Sequence, residues 1–129
     1  MKTIRLKGKV FTGSGEGAKF MKLPWVKKQI EEKLGFVPYP GTLDVRITEE
    51  SVELKKTLAE KCGVDILPCA GFHRGKCYKA SFKTELKCAL IVPEVADYPE
   101  NVIEIIGPRN LREKFHLSDG EAVEVKVKF

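Results

Sequence analysis

The first residues alternate apolar and basic side chains, with Ile4, Leu6 and Val10 set against Arg5, Lys7 and Lys9. A period of two predicts a half-buried strand. Glycine then punctuates residues 12–19 at Gly13, Gly15 and Gly17, which predicts a loop whose backbone can approach a ligand closely. Pro24 suits the first turn of a helix, Val26, Ile30 and Leu34 recur every four residues, and Gly35 terminates the pattern. Prolines 38 and 40 rule out helix in the following connection, and residues 42–48 alternate cleanly as a strand. Residues 49–63 are highly charged and predict either a short helix over 52–61 or an irregular excursion. Further strands are expected at 64–67, 77–82 and 86–92, with a glycine-centred hairpin turn within 72–78 and a polar turn at 83–85. A proline-bearing link over 94–101 leads to a strand at 102–106. Gly107 and Pro108 stop that strand before a short helix at 110–115. Asp119 and Gly120 make a turn, and Val123, Val125 and Val127 form a last alternating strand. The two ends are alike as basic, valine-bearing strands, so they are expected to pair.

About seven short strands with helical insertions predict a mainly β fold, a compact six- to seven-stranded, mostly antiparallel β-barrel with short helical insertions. A doubly wound α/β sheet would need regular alternation of strand and helix, which is missing. The 129 residues suit one domain, and no internal repeat is visible. Lys and Arg number 23 against 18 Asp and Glu, a formal charge of +5. That surplus suits a polyanionic ligand and leaves nucleotide, nucleic acid and anionic lipid open. No apolar run approaches the roughly 20 residues a membrane helix needs, and no signal-like segment opens the chain. A soluble cytoplasmic protein without membrane partners is expected.

Cys62, Cys69, Cys77 and Cys88 form no C-x-x-C pair, and only His73 and His116 could complete a zinc site. Reduced thiols acting as small hydrophobes are the expected reading. Hydrolase signatures such as G-x-S-x-G and H-E-x-x-H are absent from the sequence. The glycine stretch matches neither the P-loop nor the dinucleotide fingerprint. Its successive N–H groups could form an anion nest, with Lys19 adding a charge, or it could be a plain hairpin connection.

Thr42 and Asp44 lie two apart on a predicted strand, so a hydroxyl and a carboxylate share one face while Leu43, Val45 and Ile47 face the core. Two hard oxygens suit Mg²⁺, though a solvated strand edge looks the same. Glu104 interrupts an apolar strand and either meets solvent or is a functional carboxylate with a perturbed pKa. Arg109 and Arg112 could present forked donors to a phosphate, or sit in a solvated turn.

Four segments in this order and at these distances resemble the archaeal CTP-dependent riboflavin kinases. They are Gly13-Ser14-Gly15-Glu16-Gly17-Ala18-Lys19-Phe20, then residues 35–44 ending in Gly41-Thr42-Leu43-Asp44, then Ile103-Glu104-Ile105-Ile106-Gly107-Pro108, and finally residues 111–120. The likeness runs nearly end to end and is weakest over 49–88. It implies a cradle-loop β-barrel that transfers the γ-phosphoryl group of CTP to the 5′-hydroxyl of riboflavin, giving FMN and CDP. By position, Ser14, Gly15, Glu16, Gly17, Ala18 and Lys19 would cover the nucleotide, and Arg109, Asn110, Leu111 and Arg112 would hold its cytidine end. Thr42 and Asp44 would bind one Mg²⁺ ion shared with the CTP phosphates. Glu104 would face the reacting hydroxyl as the catalytic group and, with Ala96, would contact the flavin.

Two positions depart from the family pattern: Ala96 stands where a hydroxyl residue is usual, and Asp44 replaces the usual asparagine. Some relatives carry an N-terminal helix-turn-helix domain, for which this length leaves no room, so a single kinase domain over 1–129 is expected. A monomer that binds no nucleic acid completes the expectation. The competing readings are a small basic β-barrel that binds DNA and a flavin- or nucleotide-binding protein without turnover.

Overall fold

The computed structural model describes residues 3–58, 63–66, 75–82, 86–93 and 98–128. The strands are β1 (Thr3–Phe11), β2 (Leu43–Ile47), β3 (Val64–Ile66), β4 (Gly75–Phe82), β5 (Leu86–Pro93), β6 (Val102–Ile106) and β7 (Ala122–Lys128). The helices are α1 (Glu16–Met21), α2 (Pro24–Leu34), α3 (Glu49–Leu58) and α4 (Leu111–Lys114).

The strands follow one another in the order β3-β4-β5-β6-β2-β1-β7, and an added β4–β7 pairing closes six of them into a barrel with β3 outside the ring. All the pairings are antiparallel. The expected partnership of the two ends holds: β1 and β7 pair from Thr3 opposite Lys128 to Lys9 opposite Ala122.

Alternation decides what fills the barrel. Leu6, Val10, Val45, Phe82, Leu90, Ile103, Ile105, Val125 and Val127 point inward and form the main core. A second core lies outside the ring. There Met21, Val26 and Ile30 from α1 and α2 pack on Ile66, Cys77, Ala89, Ile91 and Ile106. β5 is therefore buried on both faces along Cys88–Ile91, which is why its sequence reads as a continuous apolar run.

α2 begins and ends where Pro24 and Gly35 predict, the glycine taking φ 81°. The charged stretch resolves into α3, with Val52 and Leu54 packed against the barrel core. Two expectations need correction. Residues 16–19 are helical, the start of α1, where loop was expected; Phe20 and Met21 bury against the second core and hold this turn in place. Gly75 is not the centre of a hairpin turn, because it opens β4 opposite Ile66.

Cys77 and Cys88 are buried free thiols, and burial pushes each up to about 12, as expected of small apolar fillers. Cys62, Cys69 and His73 lie outside the described residues, while His116 is exposed after α4 with φ 52°. No helix among the described residues is long and apolar enough to cross a membrane.

Candidate active site

The register of β2 against β6 sets Asp44 directly opposite Glu104, and β1 adds Phe11 opposite Asp44. Their strand neighbours Leu43, Val45, Ile103 and Ile105 enter the barrel, so both carboxylates leave its outer face. Directly opposed residues bring their Cβ atoms to about 4.5–5.5 Å. Thr42, just ahead of β2, stands between them: its hydroxyl lies 3.1 Å from Asp44 Oδ1 and 3.1 Å from Glu104 Oε1. One proton thus serves two acceptors. Asp44 Oδ2 accepts the Gly13 N–H at 3.1 Å, and Glu104 Oε2 accepts the Tyr98 hydroxyl at 2.7 Å.

The glycines explain how α1 lies so close to this cluster. Gly15 caps the helix with φ 88°, a left-handed conformation that favours glycine. A Cβ at Gly17 would collide with Glu104 Oε1 and Thr42 Oγ1, so only a bare backbone fits over the pair.

Burial raises the Asp44 carboxyl above its ordinary value, against the opposing pull of the Thr42 and Gly13 hydrogen bonds. Glu104 is likewise raised, first by burial and further by the neighbouring Asp44 charge, while Tyr98 and Thr42 pull it down. Tyr98 is driven well above the usual phenol range by burial and by the carboxylate it faces.

Beside the cluster opens a cavity of about 470 Å³, within the range of small-molecule sites. Phe11, Gly13, Tyr39, Thr42, Asp44 and Arg112 are among its walls. Arg112 donates to Asp119 at 2.9 Å and to the Phe11 carbonyl at 3.2 Å, tying the end of β1 to the turn before β7. Asp119, held by Arg112 and Thr12, stays below the usual carboxylate range. The Asn110 side chain caps α4 by accepting the Glu113 N–H and also reaches the Tyr39 hydroxyl at 3.3 Å. Arg109 is exposed at the rim and has no ion-pair partner among the described residues.

Of the residues singled out in the sequence, Gly15, Ala18, Thr42, Asp44, Arg109, Asn110, Leu111 and Arg112 line this one cavity. Gly17 and Glu104 belong to the carboxylate cluster at its side. Ser14 and Lys19 are exposed and lie off the wall. Glu16 opens α1, and Ala96 falls outside the described residues. Sequence reasoning missed Tyr98 and gave no role to Tyr39. The only signal for either was an aromatic in a proline-bearing link. A larger concavity of about 820 Å³ lies against β1 and β7, lined by Lys7, Lys9 and Arg46, but it holds neither member of the half-buried carboxylate pair.

The donor set fits a hard divalent cation. Two half-buried carboxylates face each other with a single hydroxyl between them, an arrangement that a cation relieves. Among the described residues no cluster of three or more His, Cys, Asp or Glu side chains exists. Thr42 and Asp44 could supply two oxygen ligands, and a hard divalent cation there would take the rest from water and phosphate.

A barrel that carries paired acidic groups beside a cavity rimmed by arginine and glycine backbone has the form of a small-molecule binding site. Residues 10–127 match the family model CTP-dep_RFKase, described as a domain of unknown function, DUF120. The chain is 40% identical over 128 residues to a riboflavin kinase of Archaeoglobus fulgidus, covering 97% of this chain and 55% of that protein. A riboflavin kinase of Methanosarcina barkeri is 40% identical, with 97% and 57% covered, and one of Methanocella arvoryzae is 43% identical, with 95% and 56% covered. The chain belongs to the CTP-dependent riboflavin kinase family. It spans a little over half the length of these relatives.

Proposed function

We propose that this domain, over residues 1–129, transfers the γ-phosphoryl group of CTP to the 5′-hydroxyl of riboflavin, giving FMN and CDP. The observation that carries the reading is the Asp44–Glu104 pair, joined through Thr42 at the side of a cavity that Arg109 and Arg112 also line. In this reading the bond from the flavin oxygen to phosphorus forms as the bond from phosphorus to the β-phosphate oxygen breaks. The hydroxyl proton passes to Glu104.

Phosphoryl transfer asks a protein mainly for alignment and charge neutralisation. Residues 14–19 would cover the nucleotide from the α1 side, and Arg109 to Arg112 would hold its cytidine end. Thr42 and Asp44 would hold Mg²⁺, whose charge offsets that of the triphosphate. Ala96 would face the flavin phosphate, with any contact supplied by backbone or neighbouring residues.

Incubation with riboflavin, Mg²⁺ and each of the four nucleoside triphosphates is expected to yield FMN with CTP; no FMN with any of them would reject the kinase reading. The Thr42→Ala, Asp44→Ala double variant is expected to lose activity and Mg²⁺ dependence together, and a fully active variant would remove these residues from the metal site.

One observation favours a second reading. The outer face of β1, β2 and β7 carries Arg5, Lys7, Lys9, Arg46, Lys126 and Lys128, with Glu124 among them, and such a stripe suits a nucleic-acid backbone. Salt-dependent affinity for duplex DNA without FMN formation would favour it.

A further inference from the structure

We infer that Tyr98 is a positioning residue that aims the Glu104 carboxylate at the hydroxyl to be phosphorylated. The inference rests on the kinase reading above and extends it to a residue that neither the sequence pattern nor the family resemblance singles out.

The two oxygens of Glu104 are held from opposite sides. Oε1 takes the Thr42 hydroxyl at 3.1 Å and Oε2 takes the Tyr98 hydroxyl at 2.7 Å. The second bond is the shorter: the Tyr98 proton is committed to Glu104, whereas the Thr42 proton is shared with Asp44. A carboxylate accepts at about four lone-pair positions, so two remain for an incoming hydroxyl. With Tyr98 donating to Oε2 and the shared Thr42 proton at Oε1, rotation about the last side-chain bond is restricted, and the free lone pairs keep their directions. Thr42 alone would leave Glu104 hinged on a single oxygen.

Tyr98 can do this because it is itself fixed from behind. Lys55, on α3, places its ammonium 5.4 Å from the centre of the Tyr98 ring. The same ammonium donates to the carbonyls of Glu100 at 3.2 Å and Val102 at 3.1 Å, which fastens the segment entering β6 to α3. The phenol is thus set between a cation on its face and a carboxylate at its hydroxyl. Removing only the hydroxyl leaves the first contact in place, which makes Tyr98→Phe a clean probe.

In Tyr98→Phe, kcat for FMN formation is expected to fall about 10- to 100-fold, the loss of one hydrogen bond to a charged group, with KM for riboflavin and CTP within about twofold. In a Glu104→Ala background the same change should cost nothing further, because no carboxylate remains to aim. A ligand-free readout accompanies it: Tyr98→Phe should lower the melting temperature of the unmodified protein and leave that of Glu104→Ala unchanged. An unchanged kcat, or losses that simply add in the double variant, overturns the inference while the kinase reading stands. No FMN from the unmodified protein overturns the kinase reading and this inference with it.

Discussion

Asp44 and Glu104 are sixty residues apart in the chain and face each other only because the β2–β6 register says so. Burial raises both carboxyls, and the Asp44 charge raises Glu104 further, as expected of like charges directly opposite on a sheet. The sign of the consequence follows from linkage. Between the ordinary carboxylate value near ~4 and the higher folded value, the native state binds more protons than the unfolded chain, so stability declines as pH rises through that window. Glu104→Gln is therefore expected to melt higher than the unmodified, ligand-free protein at pH 7, with the gap closing as pH falls toward about 4. Calorimetry across that range checks it; a gap independent of pH would contradict it. The same variant should lose about 100- to 10,000-fold in turnover with CTP binding largely intact, and an unchanged kcat would remove Glu104 from the chemistry. The sequence made each acidic residue visible by its place in an alternating strand. Their pairing was not visible, because register is a property of two strands. Tyr98 was hidden for a related reason: its partner is fixed by tertiary packing on Lys55, which leaves no periodic trace.

At the scale of elements, periodicity served well wherever one face of a strand or helix is buried. β1, β2, β6, β7 and α2 follow their patterns within a residue or two. The misreading fell on α1, since three glycines in five residues argue for loop on propensity alone. Packing overrides propensity there, with Phe20 set edge-on to Trp25 at 5.9 Å and Met21 fully buried. Gly17 lies within this helix and Gly15 caps it, and the bare backbones of Gly13 and Gly17 let the segment lie against Asp44 and Glu104. Gly17→Ala is expected to push α1 off the cluster, costing about 1–3 kcal/mol in urea unfolding and most of the activity. A variant as stable and active as the parent would show that α1 has room to spare. α2 is the support of that helix: Ile30→Ala, at a fully buried position, should cost about 2–5 kcal/mol.

For the whole molecule, the ring of strands sets the cost of disturbing its seam. Phe82 is fully buried, pairs with Val125 across the β4–β7 closure and meets the Phe115 ring at 5.2 Å. Phe82→Ala is expected to lower stability by about 3–5 kcal/mol, measured by denaturant titration, and a loss below 1 kcal/mol would mean that the seam repacks. Mainly β architecture and barrel closure were legible from strand count and from the likeness of the two ends. Which strand meets β7 on its other side was not, because β4 carries no mark of it. That double partnership also has a consequence in time. β7 follows the other described strands in the chain and bridges β1 to β4, and the Arg5–Glu124 pair joins residues 119 apart. Until residues 122–128 leave the ribosome, two strand edges stand open and the ring cannot shut, so closure is a late step with high contact order. A nascent chain halted at residue 121 is expected to scatter light as it associates through those edges, whereas one released with β7 stays dispersed.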